Sequence, residues 1–206
     1  GQFIDIGMLD THVAWLANQG MNYLSTDENP ERLGNQHPNI VPYQVMPTSD
    51  GYIVLSIGND PTFERFCELA GETKLLEDDR FKTNASRVSN REHVTKVLNE
   101  VTKRKTSNEW LSELEKAKIG CGPINNLSDV FNDPHVISIK MVMEMEHYKT
   151  GEKQLKLISN PIKMNETPVS YRYAPPLLGE HTNEILKTEL NFNEDQIKSL
   201  KDKNII

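Results

Sequence analysis

Two aspartates, three arginines and one histidine-bearing loop are the residues of this chain whose types could do chemistry. A carboxylate works as nucleophile or general base only with a base, an oxyanion site or a substrate carbon within reach. Asp10 falls in the first turn of a predicted helix, where a carboxylate simply interacts with the helix dipole. Asp60, in Asn59-Asp60-Pro61, reads as an N-cap with Pro61 at the first helical position. Arg80, Arg87 and Arg91 could hold a carboxylate through paired guanidinium contacts. The weightier reading makes them a solvated ion-pair cluster with Asp78, Asp79 and Glu92. In Gly34-Asn35-Gln36-His37-Pro38-Asn39, His37 could donate a hydrogen bond to a carboxylate, or Asn35 and Pro38 could build an ordinary turn.

Several other chemistries have no footing. There is no G-x-S-x-G, no H-E-x-x-H and no P-loop. Gly120-Cys121-Gly122 opens like a dinucleotide fingerprint, but Asn125 stands at the third glycine. Met141, Met143 and Met145 repeat with a period of two, which predicts one packed strand face rather than a soft-metal site. The 6 histidines lack ligand spacing, so no metal is expected. Cys67 and Cys121 make no C-x-x-C, which fits a reducing compartment. With 23 Lys and Arg against 30 Asp and Glu, the chain carries a net charge of -7 and lacks the basic footprint of a nucleic-acid binder. No run approaches the ~18 apolar residues of a membrane span. Neither a nucleic-acid nor a membrane partner is expected. The start, Gly1-Gln2-Phe3-Ile4-Asp5, is no signal peptide. It lacks a Met and opens inside a predicted strand, so a fragment or processed product is expected.

The elements that must position these residues follow from patterning. Phe3-Ile4-Asp5-Ile6 predicts a short buried strand, followed by one helix over residues 8–24. An Asn-rich loop spans 32–42. Tyr43-Gln44-Val45-Met46 and Tyr52-Ile53-Val54-Leu55 predict a hairpin turning at Ser49-Asp50-Gly51. A helix capped by Asp60 should end at Gly71, with Phe63, Phe66, Cys67 and Ala70 inward. Residues 78–90 read as turns. Asn90 should cap a helix to about Lys103, and Thr106 with Glu109 a third, through a capping box. Residues 120–126 read as a break, and Asp133-Pro134 opens a helical turn. Residues 141–146 read as a strand turning at Lys149-Thr150-Gly151-Glu152. A proline-punctuated linker follows. Thr182 should cap a helix through Leu190, and Asn193 the last one. A strand leading directly into a helix makes the expected class α/β.

Taken together, several strings resemble one family. They are Arg32-Leu33-Gly34-Asn35-Gln36-His37-Pro38, Val41-Pro42-Tyr43, Asp50-Gly51-Tyr52 and Gly58-Asn59-Asp60. Further on come Arg80-Phe81-Lys82-Thr83-Asn84 with Arg87, Asn90-Arg91, Cys121-Gly122-Pro123-Ile124-Asn125, Asp133-Pro134 and Ala174-Pro175-Pro176-Leu177-Leu178-Gly179-Glu180-His181-Thr182. In order and spacing they are similar to the carboxy-terminal half of a class III CoA-transferase. Within that family they look most like the succinyl-CoA-dependent dicarboxylate transferases.

The resemblance implies that residues 1–29 close a Rossmann-like large domain, 30–148 form a small α+β domain, and 149–206 are a linker and return. It implies an interlocked homodimer, acyl-CoA and carboxylate substrates, coenzyme A as a thioester substrate and no bound cofactor. It also implies a nucleophilic aspartate upstream of Gly1, so that this chain has no catalytic residue and is inactive alone. Gly34, Asn35, His37 and Asn39 match the loop that covers the active site in the family. In place of the several glycines some members carry, this chain has His37-Pro38-Asn39-Ile40. Asp60 matches the position of the proton-abstracting glutamate in α-methylacyl-CoA racemases. Racemase activity and a non-catalytic dimerisation fragment are the alternatives. The implied compartment is cytoplasmic, or mitochondrial in a eukaryote.

Overall fold

The structure, a computed structural model, describes residues 2–147 and 154–206. These divide into two units, Gln2–Asn126 and Leu127–Ile206. The first opens differently from expectation. Phe3 to Ile6 form no strand and stand exposed, Phe3 at 92%. A strand needs a neighbour for its N–H and C=O groups, and none of these residues joins a ladder. The single predicted helix is two, α1 (Met8–Ala14) and α2 (Ala17–Thr26), broken where Ala17 takes a positive φ of 44°. Neither helix buries a residue.

The core begins with β1 (Tyr43–Pro47) and β2 (Tyr52–Ser56), paired antiparallel as the Asp-Gly turn predicts. Met46 faces Ile53 and Gln44 faces Leu55 across the ladder, and all four are buried. The hairpin tip is latched. The Asp50 carboxylate accepts from the Ser107 N–H at 2.8 Å, from the Ser107 hydroxyl at 3.0 Å and from the Thr48 hydroxyl at 3.0 Å. The third strand, β3 (Gly120–Pro123), occupies part of the predicted break and pairs with the other edge of β2. A Cβ on Gly120 would stand 2.9 Å from the Ser56 carbonyl oxygen, so glycine lets the two backbones close.

Helices cover the sheet. In α3 (Asp60–Ala70) the inward face carries Phe63, Phe66 and Cys67, and Gly71 ends it at φ 71°. The N-cap is Asn59, one residue earlier than predicted; its Oδ1 accepts from the Thr62 N–H at 2.9 Å. A 3-10 helix (Thr73–Glu77) follows, and the region predicted as turns, residues 78–90, holds α4 (Asn84–Ser89), capped by Thr83. Then come α5 (Arg91–Thr102) and α6 (Ser107–Lys116), the latter with the expected Thr106–Glu109 capping box. An aromatic series, Phe81–Phe63–Phe66–Trp110, runs through the core with ring centroids 6.0–6.4 Å apart. The buried Trp110 indole N–H donates to the Thr102 carbonyl at 2.6 Å, which satisfies its one polar atom. Burial pushes the Cys67 thiol up to about 12, so it is an inert core residue.

The second unit contains α7 (Leu127–Asn132), α8 (Pro134–Ser138) capped by Asp133, and the antiparallel pair β4 (Val142–Met145) and β5 (Leu155–Ile158). Met143 and Met145 share the half-buried face of β4, as the period of two predicts. The predicted turn at Lys149-Thr150-Gly151-Glu152 lies outside the described residues. After the irregular linker, α9 (Thr182–Thr188) begins with Thr182 inside the helix and His181 at the cap position without a side-chain cap. In α10 (Glu194–Asp202) Asn193 forms a capping box with Gln196.

The Asp50 latch has a pH signature. The Ser107 N–H, with the Thr48 and Ser107 hydroxyls, holds the Asp50 carboxyl below its ordinary value of 3.8. A depressed folded pKa contributes stability above the unfolded value and loses it as pH falls through the folded value. Urea titrations should show Asp50→Asn less stable than wild type at neutral pH, with the gap closing as pH drops below about 3.8.

Candidate functional site

The predicted site loop, Gly34 to Asn39, lies between α2 and β1, and its candidates Asn35, His37 and Asn39 are held by hydrogen bonds. Gly34 sits at φ 62°, a left-handed turn position that suits glycine. Asn35 and Gly34 form the turn, which the Gln36 N–H closes by donating to the Leu33 carbonyl at 3.1 Å; Pro38 lies beyond it. Asn35 also reaches β1. Its Oδ1 accepts from the Val45 N–H at 2.9 Å, fastening the loop to β1. The His37 N–H donates to the Tyr43 carbonyl at 2.9 Å, and the two rings stack with centroids 5.1 Å apart and an 11° interplanar angle. His37 Nδ1 accepts from the Asn39 N–H at 3.1 Å. Nε2 lies 2.9 Å from Asn18 Nδ2 on α2, so each ring nitrogen faces an N–H donor. Asn39 exchanges two amide hydrogen bonds with Asn22, at 3.0 and 3.1 Å.

Asp60 is not the cap of α3. With Asn59 in that role, Asp60 moves into the first turn, and its Oδ1 accepts from Arg87 Nη2 at 2.8 Å. Arg87 belongs to no surface cluster. Its side chain is 0% exposed, whereas that of Asp60 is 42% exposed. The guanidinium also donates through Nε to the Val41 carbonyl at 2.7 Å and through Nη1 to the Phe81 carbonyl at 2.8 Å. Its Cζ lies 4.3 Å from the centre of the Phe63 ring. A buried cation persists only with such partners.

The other two arginines split from it. Arg80 pairs with Asp78 at 2.6 Å on the surface, as expected, and its guanidinium pushes the Asp78 carboxyl down to about 2. Asp79 pairs with Lys82 rather than with an arginine. Arg91 reaches the loop, where Nη2 donates to the Pro38 carbonyl at 2.6 Å. The three arginines therefore form no single carboxylate clamp. Asn84 is a loop partner whose role sequence reasoning missed; its signal was its place at the end of the Arg80-Phe81-Lys82-Thr83-Asn84 string that carries the family resemblance. Asp10 lies in the first turn of α1, as read. Among the described residues no group of three or more His, Cys, Asp or Glu is placed to hold a metal. No helix of the described residues is long and apolar enough to cross a membrane.

The first unit thus combines a small mixed α and β core, a hydrogen-bonded Gly-Asn-x-His-Pro-Asn loop and an aspartate paired with a buried arginine. Residues 1–182 match CoA-transferase family III, and the chain belongs to that family. It is 38% identical over 186 residues to a succinate–glutarate CoA-transferase of Agrobacterium fabrum, covering 90% of this chain and 46% of that protein. It is 36% identical over 200 residues to a human succinyl-CoA:glutarate CoA-transferase, covering 97% of this chain and 45% of that protein. A solved structure of a CAIB/BAIF family protein from Brucella suis matches with a TM-score of 0.69 at 38% identity, over 92% of this chain and 48% of that one. The chain thus spans about half the length of the relatives it matches.

The Asp60–Arg87 pair is testable on its own. Asp60→Ala should cost about 1–3 kcal/mol in urea unfolding, since it leaves a buried guanidinium short of an acceptor. Asp60→Asn, which keeps an acceptor oxygen, should cost less. Equal stability of wild type and Asp60→Ala would mean that the half-exposed carboxylate does not support Arg87.

Proposed function

We propose that the protein carrying this chain moves CoA from succinyl-CoA to a second carboxylic or dicarboxylic acid. The observation that carries this reading is the match of nine-tenths or more of the chain, at 36–38% identity, to two proteins named for exchange between succinate and glutarate. An aspartate upstream of Gly1 attacks the thioester carbonyl of succinyl-CoA, the CoA thiolate leaves, and a mixed anhydride forms. The thiolate then attacks the aspartyl carbonyl, which releases succinate and gives an aspartyl-CoA thioester. The acceptor carboxylate attacks that thioester carbonyl and expels the thiolate. The thiolate takes the acceptor acyl group from the new anhydride and restores the aspartate. Splitting one difficult exchange into four acyl transfers is the gain of covalent catalysis.

In this scheme residues 34–41 cover the intermediate, because an anhydride in contact with water would hydrolyse. His37 and Asn39 are the polar groups the loop offers there. For His37 to donate from Nε2 to a substrate, the Asn18 amide must give way. On the same reading, residues 1–29 and 149–206 complete a Rossmann-like large domain, residues 30–148 form the small one, and two chains interlock as a homodimer. Phe3, Ile4, Met8, Leu9 and Trp15 all stand exposed, as expected of side chains whose cover lies in the rest of a longer protein. Racemisation is not favoured, since Asp60 already serves as counter-ion to Arg87.

Incubating the full-length protein with succinyl-CoA, reducing with borohydride and mapping the modified peptide tests the scheme. The expected result is reduction of one aspartate outside residues 1–206. Modification of Asp10 or Asp60, or CoA exchange without any trapped carboxylate, would overturn it.

A further inference from the structure

Three side chains on the α4–α5 corner, Asn84, Arg87 and Arg91, stand at i, i+3 and i+7. All three reach the main chain of the site loop. Asn84 Nδ2 donates to the Asn39 carbonyl at 2.8 Å while its Oδ1 accepts from the Val41 N–H at 3.1 Å. Arg87 donates to the Val41 carbonyl at 2.7 Å, and Arg91 to the Pro38 carbonyl at 2.6 Å. Residues 38–41 belong to no ladder, so these polar main-chain groups find side chains in place of a neighbouring strand. Two of the four bonds are charge-assisted, the stronger kind. The loop cannot swing away without breaking all four together.

We propose that Asn84 and Arg91 are positioning residues for the transfer reaction, completing with buried Arg87 a clamp that makes the loop a fixed wall and not a lid. This rests on the reading of residues 34–41 as the cover of the reacting thioester. The clamp acts on chemistry through one specific link. The Asn39 main chain it holds is the same one whose N–H donates to His37 Nδ1. Asn84 and Arg91 thereby set how the His37 ring is oriented without touching it.

The test uses full-length protein carrying Asn84→Ala, Arg91→Met and Arg91→Lys; Arg87, fully buried, is left intact to preserve the fold. Amide exchange at Asn39 and Val41 should quicken by about tenfold or more in Asn84→Ala and Arg91→Met, while Gly71 and Ile119 keep their wild-type rates. Nitrogen-15 shifts of His37 should move away from their wild-type values as the Asn39 N–H loses its hold on Nδ1. Turnover should fall by about tenfold with KM for the acyl-CoA little changed, and Arg91→Lys should recover part of each loss. Unchanged exchange at Val41 in Asn84→Ala overturns the clamp. Faster loop exchange with wild-type kcat overturns the positioning role. A wild-type transfer rate in His37→Ala overturns the loop's place at the reaction, a failure the exchange data distinguish from failure of the clamp.

Discussion

A fully buried guanidinium must be surrounded by acceptors, and this requirement at Arg87 organises the first unit. Taking the charge out of water costs several kcal/mol, and what offsets that cost is drawn from three separate parts of the chain. Val41 comes from the site loop, Phe81 from the segment before α4, and Asp60 from the first turn of α3, with the Phe63 ring beneath the cation. Asp60 is available only because Asn59 takes over the capping of α3. A one-residue shift in a helix cap thus decides whether a carboxylate is a cap, a base or a counter-ion.

Much of this fold was legible in the sequence, wherever local chemistry decides the outcome. Asp-Gly turned the hairpin, Thr106 with Glu109 made a capping box, Gly71 ended α3, and the inward face of α3 followed its spacing. The failures are of one kind: tertiary partners overrode local pattern. Arg80, Arg87 and Arg91 look alike in a polar stretch, and only packing puts one in the core, one on the loop and one on the surface. Gly120-Cys121-Gly122-Pro123 carries the residues of a break, yet it forms an edge strand because glycine lets it approach Ser56. Phe3-Ile4-Asp5-Ile6 carries the residues of a buried strand, yet no strand is there to pair with it.

The site was legible in part. The loop containing Gly34, Asn35, His37 and Asn39 could be picked out from its residues and from family resemblance. Its conformation could not, because it is held by residues 43 to 53 positions away, Asn84, Arg87 and Arg91. A loop rich in Asn and Pro in place of glycine gives up backbone freedom and gains side chains that hydrogen-bond locally. Here Asn35, His37 and Asn39 all use that capacity. The same substitution of polar residues for glycines suits a wall better than a lid. Membership in CoA-transferase family III, joined to a loop of this construction, is what supports the proposal that the loop shields and orients.

The most direct measurement is amide hydrogen exchange of the wild-type full-length protein with and without succinyl-CoA. A substrate wall held in place predicts slow exchange at Asn39 and Val41 before ligand is added, and added protection confined within this chain mainly to residues 34–41 once it is bound. Fast exchange at these amides in the free protein, or ligand protection that bypasses residues 34–41, would contradict it.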